Sequence, residues 1–418
     1  MGPITLFDKS FLQSLSVDES VWFDHFFYPN ICPLFYVETL ADLNKTSLKL
    51  GRTVEDEVRI IADKTPELSG SPCVHHRELC ISDLMGHHVP MNGQIPVAGG
   101  RVVRSADGKK GIVYDQSPEA QAFIRWQHGE FQEIERHFAK GWRQMLTTLD
   151  LPAIAANMRT LGLDAKNCKS VDEAHAIATK LVNLRNKPFE QMALLFAFVD
   201  IPSELQRPIL ERWSIYNYRP LAEYAPYAAH VLTVELFFQI GLAANIIPAD
   251  RASNRVDIAY LFYLPFCMVF VSSDKLHRKC ARVFLRKKQD FIWGFDLKPE
   301  LTRLNNHFAQ FSESEREKGV MKFARLPVGN PENLIIKLWN KHDSGWQKRD
   351  ENDISLTPEV EKKLVEHLRK FTDSPTVAPQ LNAKQDVNLD QLAIQRKIRK
   401  KKGSWWLLPK DLEDDKAG

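Results

Sequence analysis

The chain has 418 residues, 44% of them hydrophobic, with a formal net charge of +3. That length and apolar content exclude a disordered chain and leave room for two or three domains, while the near-balanced charge means that any nucleic-acid partner must be argued from local clusters. Its six cysteines, Cys32, Cys73, Cys80, Cys168, Cys267 and Cys280, form no dense framework, which points to a reducing, cytoplasmic compartment.

In chain order, Ile4 to Phe7 is a strand-like apolar run, and Asp8 and Ser10 can cap a following helix that carries Phe11, Leu12 and Leu15. Cys32 to Val37 is a second strand candidate; Glu38 to Leu43 continues with helical spacing, placing Glu38 at a helix start. From Gly51 to Ser117, Pro, Gly and His break the periodicity into loops and short strands. Within that stretch Cys73, His75, His76 and Cys80, with His87 and His88 beyond, offer soft ligands for zinc. Their spacing fits no finger pattern, so ordinary loop and helix residues are the preferred reading.

Ser117, Pro118 and Glu119 form a helix start, and a long helix is expected to Leu149, burying a stripe of Phe131, Ile134, Phe138, Trp142 and Met145. Ser170 and Glu173 suggest a capping box, and further helices are expected at Phe189 to Val199, Leu205 to Tyr216 and Leu221 to Ala244. Trp126, Trp142 and Trp213 read as core residues of this helical block. The α/β pattern resumes with a helix from Asp257 to Tyr263, stopped by Pro265, and a buried strand from Cys267 to Val271 that leads to Ser272, Ser273 and Asp274. A basic helix from Lys275 to Phe284, a strand from Phe291 to Trp293 and a helix from Lys298 to Phe311 complete this part. Beyond Ser312 the chain turns polar, with a helix from Thr357 to Phe371, a linker from Asp373 to Asp386 and a basic C-terminal helix. The longest apolar run, Ile258 to Val271, is shorter than the roughly 20 residues a membrane span needs. The first residues lack a charged leader, and Leu6 stands where a myristoylation signal needs Ser or Thr, so neither a targeting segment nor a lipid anchor is expected.

Asp8, Glu38, Asp257 and Asp274 thus fall at equivalent points, each at a strand end or helix start. In an open α/β sheet the ligand crevice lies beyond the carboxyl ends of the strands, where such residues can converge. Crowded carboxylates raise one another's pKa unless a cation neutralises them, and an all-oxygen set suits Mg2+ or Mn2+. Hydrolysis of a phosphodiester by a metal-activated water follows from that chemistry. Each acid taken singly is equally well explained as a helix cap or a partner of the helix dipole; only the joint pattern points to a site.

That joint pattern resembles the PIN-domain family. The resemblance is carried by Ile4 to Ser10, by Pro33 to Leu43 with its Glu38, by Asp257 and the alanine-containing apolar helix after it, and by Val269 to Asp274, covering residues 1–50 and 250–310. It implies an α/β fold, an open sheet flanked by helices, split by a mainly α-helical insertion. The core would comprise residues 1–50 and 246–311, the insertion 51–245, and a C-terminal extension 312–418. It further implies one or two Mg2+ or Mn2+ ions held by Asp8, Glu38, Asp257 and Asp274, supported by Ser10 and Ser272, with Asp296 as a secondary candidate. The implied activity is endonucleolytic cleavage, of RNA in preference to DNA. Family members usually lack so large a break; the insertion could be a substrate platform, a lid or a block that builds a homo-oligomer.

Two basic groups could hold such a substrate. Lys275, Arg278, Lys279 and Arg282, continued by Arg286, Lys287 and Lys288, follow Asp274 directly. Arg396, Lys397, Arg399 and Lys400 precede Trp405 and Trp406, joining charge for a phosphate backbone to rings for base stacking. The bland reading of that tail is a solvated helix end with its tryptophans packed on the body. The alternative to an enzyme is a catalytically silent PIN-like module that binds nucleic acid or a protein partner. A further alternative is that the acids are caps in a different α/β enzyme, too far apart to share an ion.

Overall fold

The computed structural model describes the chain except Met1, Ser47, Lys49, Leu50, Asp107, Ala165 and residues 161–163, 350–356, 378–390 and 413–418. β1 (Ile4–Phe7) is buried throughout, and α1 (Lys9–Ser14) begins directly after it with Asp8 as N-cap. α2 (Val17–Phe26) opens on a capping box of Ser16 and Glu19. The second strand is β2 (Tyr28–Ile31), upstream of the expected Cys32 to Val37. Cys32 instead precedes α3 (Pro33–Leu40), because Pro33 at the first helical position has its φ preset and needs no hydrogen-bond partner for a missing N–H. Glu38 therefore lies near the end of α3, not at a helix start.

α4 (Val54–Lys64) occupies a stretch expected to be irregular; Thr53 and Asp56 form its capping box, and Val58, Ile61 and Ala62 its buried face. β3 (Ser71–Pro72), α5 (His76–Leu84) and the hairpin of β4 (Gly100–Arg104) and β5 (Lys110–Tyr114) follow. α6 (Pro118–Gln127) starts where the Ser117 cap indicates, but the expected long helix breaks at Gly129, whose φ is +75°, and resumes as α7 (Glu133–Thr148). The expected buried stripe of α7 faces outward: Ile134, Phe138 and Met145 are exposed, while Glu135 and Ala139 are buried. Polar anchors set that rotation. Glu135 accepts from Arg125 and from the Trp126 indole, and Arg143 donates to Ala41 O and to Asp42.

The helical block continues through α8 (Leu151–Thr160), α9 (Val171–Val182), α10 (Pro188–Val199), α11 (Ser203–Ile215), α12 (Leu221–Tyr224) and α13 (Pro226–Ala243). Pro226 divides the expected 221–244 helix, since it cannot donate to the preceding turn. α13 is buried on nearly all sides and packs against α5, α8 and α9. α14 (Asn254–Ala259) runs into a 3-10 segment, Tyr260–Phe266, that accommodates Pro265, and then come β6 (Val269–Ser272), α15 (Lys275–Cys280), β7 (Asp290–Trp293) and α16 (Gly294–Ala309). The polar end of the chain holds α17 (Glu313–Arg316), α18 (Val320–Phe323), α19 (Leu334–His342), α20 (Pro358–Thr372) and the strands β8 (Gln391–Ile394), β9 (Lys401–Lys402) and β10 (Trp405–Trp406). The expected basic helix is absent: Arg396 to Lys400 run without regular structure, and Lys401 and Lys402 pair with Trp405 and Trp406 as the β9–β10 hairpin. Most of the expected linker lies outside the described residues. Among those described, no helix is long and apolar enough to cross a membrane.

The fold is α/β. Five parallel strands make one sheet in the order β3-β2-β1-β6-β7, flanked by helices. Its central strands read as continuous apolar runs because both sheet faces are covered. Phe7 pairs with Val271 and Ser272 with Trp293, so Asp8, Ser273 and Gly294 all leave the sheet at one end. A second sheet, β4-β5-β8, joins the expected insertion to the expected extension and carries its own small core of Val103, Val113 and Phe371. The remaining apolar interior is one continuous cluster running from β1 through α13 to Trp405.

Candidate active site

β1 has β2 and β3 on one side and β6 and β7 on the other, so the strand order reverses between β1 and β6. Their carboxyl ends are where an open sheet of this kind parts to admit a ligand. Asp8, just past β1, caps α1: its Oδ1 accepts from Phe11 N at 2.9 Å. Its Oδ2 accepts from Ser10 Oγ at 2.6 Å and Ser272 Oγ at 2.8 Å, and faces His277 Nδ1 at 3.3 Å. Ser272 Oγ also lies 2.8 Å from His277 Nδ1 and accepts from Asp274 N at 2.9 Å, so one hydroxyl knits β1, β6 and α15 together. Asp274 caps α15 through Leu276 N at 2.6 Å.

His277 is fully buried. Its Nε2 lies 2.6 Å from the backbone oxygen of Asp257, which can only accept, so Nε2 carries a proton. Burial would lower the His277 pKa, but the hydrogen bond and charge of Asp8, with Asp257, push it up to about 9. At neutral pH both ring nitrogens are therefore protonated. Asp8 responds in kind: burial acts to raise its pKa, and the hydrogen bond and charge of His277, with Ser10 and Phe11 N, hold it below the ordinary value.

Glu38 reaches the same crevice from α3. Tyr260 donates to its Oε2, and Lys9 donates to its backbone oxygen at 2.9 Å and to Asp42 at 3.1 Å. Burial raises the Glu38 pKa, and the charge of Asp8 adds to it against Lys9, Tyr260 and His277. Asp257 is pushed up to about 7, first by burial and then by the negative charges of Glu38, Asp274 and Asp8, with His277 opposing. These four acids, from segments far apart in the chain, thus share one electrostatic neighbourhood. Asp296 lies apart from this network, exposed in the first turn of α16.

His277, Tyr260, Lys9, Asp42 and Arg143 were not anticipated. Asp42 was within reach of sequence reasoning, since it follows Glu38 by four residues and so shares its helical face. His277 carries no such signal; in sequence it is one more polar residue of a basic helix.

Among the described residues, no three His, Cys, Asp or Glu side chains converge as a ready-made metal cage. The zinc candidates serve other ends. His75 caps α5 through Arg77 N, His76 lies against the Tyr263 hydroxyl, and burial pushes the Cys73 and Cys80 thiols up.

Most of the expected substrate-holding cations bind the protein itself. Lys275 is exposed beside Asp274, and Arg278 lies 4.9 Å over the Trp293 ring. Lys279 donates to Ile246 O at 2.6 Å, Arg282 pairs with Asp172, and Arg286 donates to Met91 O. Because α15 runs back along the sheet, Lys287 and Lys288 sit near the start of β7, at the end opposite Asp274. In the tail, Arg396 binds Gly70 O and Ser71, Arg399 binds Asp63 and Glu67, and Lys402 is buried with its amine on Thr65 O. Trp405 is buried, edge-on to Trp22, with its indole N–H on Asn305. Trp406 is half-buried beneath Lys401 and Lys410, Lys397 is exposed and Lys400 half-buried. The expected stacking face of Trp405 is therefore taken by the protein's own core.

The chain matches no protein-family model, no curated protein and no solved structure.

Proposed function

We propose that the crevice at the carboxyl ends of β1 and β6 is the active site of a PIN-like, metal-dependent endonuclease that hydrolyses phosphodiester bonds, in RNA in preference to DNA. One observation carries this reading: Asp257, drawn to the same end of the sheet as Glu38, Asp274 and Asp8, is pushed up to about 7 by burial and, against His277, by the charges of those three acids. His277 and Lys9 are the cations set against them, and Lys9 is shared with Asp42. A site with that imbalance favours a divalent cation.

The donor chemistry fits Mg2+ or Mn2+. Hard cations of this kind bind through one or two carboxylates and retain water, so a closed cage of three side chains is not required. Asp8, Glu38, Asp257 and Asp274 are the residues that would hold the ion, with Ser10 and Ser272 fixing Asp8. Such an ion supplies a bound water of lowered pKa and charge that stabilises the phosphoryl oxygens. His277, protonated and fixed at both nitrogens, holds Asp8 ionised and cannot itself act as a base near neutral pH. Asp257, pushed up to about 7 without an ion, would be held ionised once it served as a ligand of one. Lys275 and Arg278 are the cations next to the crevice and would meet the substrate backbone.

The test is cleavage of single-stranded RNA, structured RNA and DNA with Mg2+ or Mn2+, comparing the natural protein with Asp8→Asn. Metal-dependent cleavage of RNA lost in the variant is the expected result. No cleavage of any substrate in either metal would overturn it.

The buried His277 imidazolium favours a second reading, since it already supplies part of the positive charge a metal would bring. In that case the chain is a catalytically silent PIN-like module, and it should bind nucleic acid equally well in EDTA while leaving it intact in Mn2+.

A further inference from the structure

Three cations of the basic stretch take no part in the acidic crevice: Arg286, Lys287 and Lys288 stand at the opposite end of the sheet, just before β7. They line a cleft of about 610 Å3 together with Lys341 and His342 from the end of α19. Among the described residues, no Asp or Glu lines it. The turn that presents the three cations is pinned to the body. Gln289 N donates to Arg286 O at 2.8 Å and Gln289 Oε1 accepts from Arg286 N at 2.9 Å, while its Nε2 donates to Leu264 O at 2.6 Å and to Cys267 O at 2.7 Å. Arg286 donates to Met91 O, and among the described residues no acid pairs with Arg286, Lys287 or Lys288. Asp290 accepts from Lys341 at 2.6 Å and lies 2.8 Å from His342 Nε2, whereas Asp343 lines the neighbouring cleft with Ile4 and Tyr28. Cations held side by side repel one another, and a cleft lined by one sign of charge draws in the opposite ion.

We propose that this cleft binds a small anion carrying two linked phosphates. Charge sets the number. Arg286, Lys287, Lys288 and Lys341 are four permanent cations, and Asp290 offsets one, which leaves a surplus of three. A phosphate group carries about −1.5 to −2 at neutral pH, so two phosphates balance the cleft and one does not. The volume falls within the roughly 300–1,000 Å3 of small-molecule sites. Because the pinned turn and α19 bring their cations to one cleft, a compact anion can meet both sets, with little side-chain ordering left to do at the turn. The site stands apart from the acidic crevice and does not depend on the nuclease reading.

The test titrates the full chain in EDTA with inorganic pyrophosphate, inorganic phosphate and a single-stranded RNA oligonucleotide without terminal phosphates, followed by calorimetry. Saturable one-to-one binding of pyrophosphate, roughly tenfold or more tighter than phosphate, is expected. Lys287→Gln combined with Lys288→Gln should weaken pyrophosphate roughly tenfold, whereas Lys140→Gln combined with Lys322→Gln, which removes the same charge from exposed positions elsewhere, should leave it unchanged. Should the first double variant fail to fold by circular dichroism, the wild-type ratio of pyrophosphate to phosphate decides. No saturable binding of pyrophosphate, an equal affinity for phosphate, as of an adventitious ion only, or an equal effect of the two double variants would overturn the proposal. Displacement of pyrophosphate by the RNA would overturn it as well, by making the cleft part of a nucleic-acid track.

Discussion

His277 has no exposed surface, yet Asp8 keeps it charged. Its pKa is about 9 in the folded chain against 6.5 for the free side chain, so its pairing stabilises the fold fully below pH 6.5 and is lost as pH rises through 9. The interaction belongs to the Asp8–His277 pair as a whole and is on the order of a few kcal/mol. Melting temperature measured in EDTA should therefore fall between pH 6.5 and 9, and the fall should flatten in His277→Gln. An unchanged slope in the variant would mean that other groups govern this window. At Asp274, Asn retains the hydrogen bond to Leu276 N and removes one of the charges acting on Asp257. Asp274→Asn should thus abolish cleavage with a melt in EDTA equal to or slightly above wild type, whereas Asp274→Ala should cost about 1 kcal/mol for the lost cap. Asp8 and Asp274 were legible in the sequence because an acid after an apolar run is both a cap and a strand-end residue. Glu38 was singled out on the wrong element, and Tyr260 not at all, since a tyrosine inside an apolar run reads as core until its hydroxyl is seen on a carboxylate.

Among the elements, the misplacement of β2 has a simple origin. Cys32 to Val37 is apolar and aromatic enough to pass for a strand, but Pro33 favours a helix start more strongly than that composition favours a strand. Likewise, α7 has the right period and the wrong buried face, because Glu135 and Arg143 each find a partner that apolar periodicity cannot reveal. α4 was legible in principle through Thr53 and Asp56, but the surrounding glycines and prolines masked it. The tail carries a prediction of its own. Arg396, Arg399, Lys402 and Trp405 tie β9 and β10 to the body, so deleting from Arg396 onward should destabilise the whole fold and not simply weaken substrate capture. Trp405→Ala alone should cost roughly 3–5 kcal/mol in a urea denaturation series, the usual penalty for truncating a buried aromatic side chain. A loss under 1 kcal/mol would mean that the indole is not part of the core.

For the molecule as a whole, the apolar cluster makes no break between the sheet and the helical block, while Val103, Val113 and Phe371 stand apart. Backbone amides of β1, β6 and α13 should accordingly exchange with deuterium only on global unfolding, and those of β4, β5 and β8 sooner, by sub-global opening. Protection of equal depth in both regions would show the small sheet to be part of the same cooperative unit. The α/β class was readable from two strand-and-acid segments far apart in the sequence; the route that joins them was not, because the packing of α13 and the pairing of β5 with β8 rest on long-range contacts. The pairing of β1 with β6 has a consequence for synthesis on the ribosome. Until Val269 to Ser272 emerge, β1 has no neighbour on that side, and Asp8 lacks both Ser272 and His277. A nascent chain that stops short of β6 consequently has Asp8 without the wall of the acidic crevice that β6 and α15 supply.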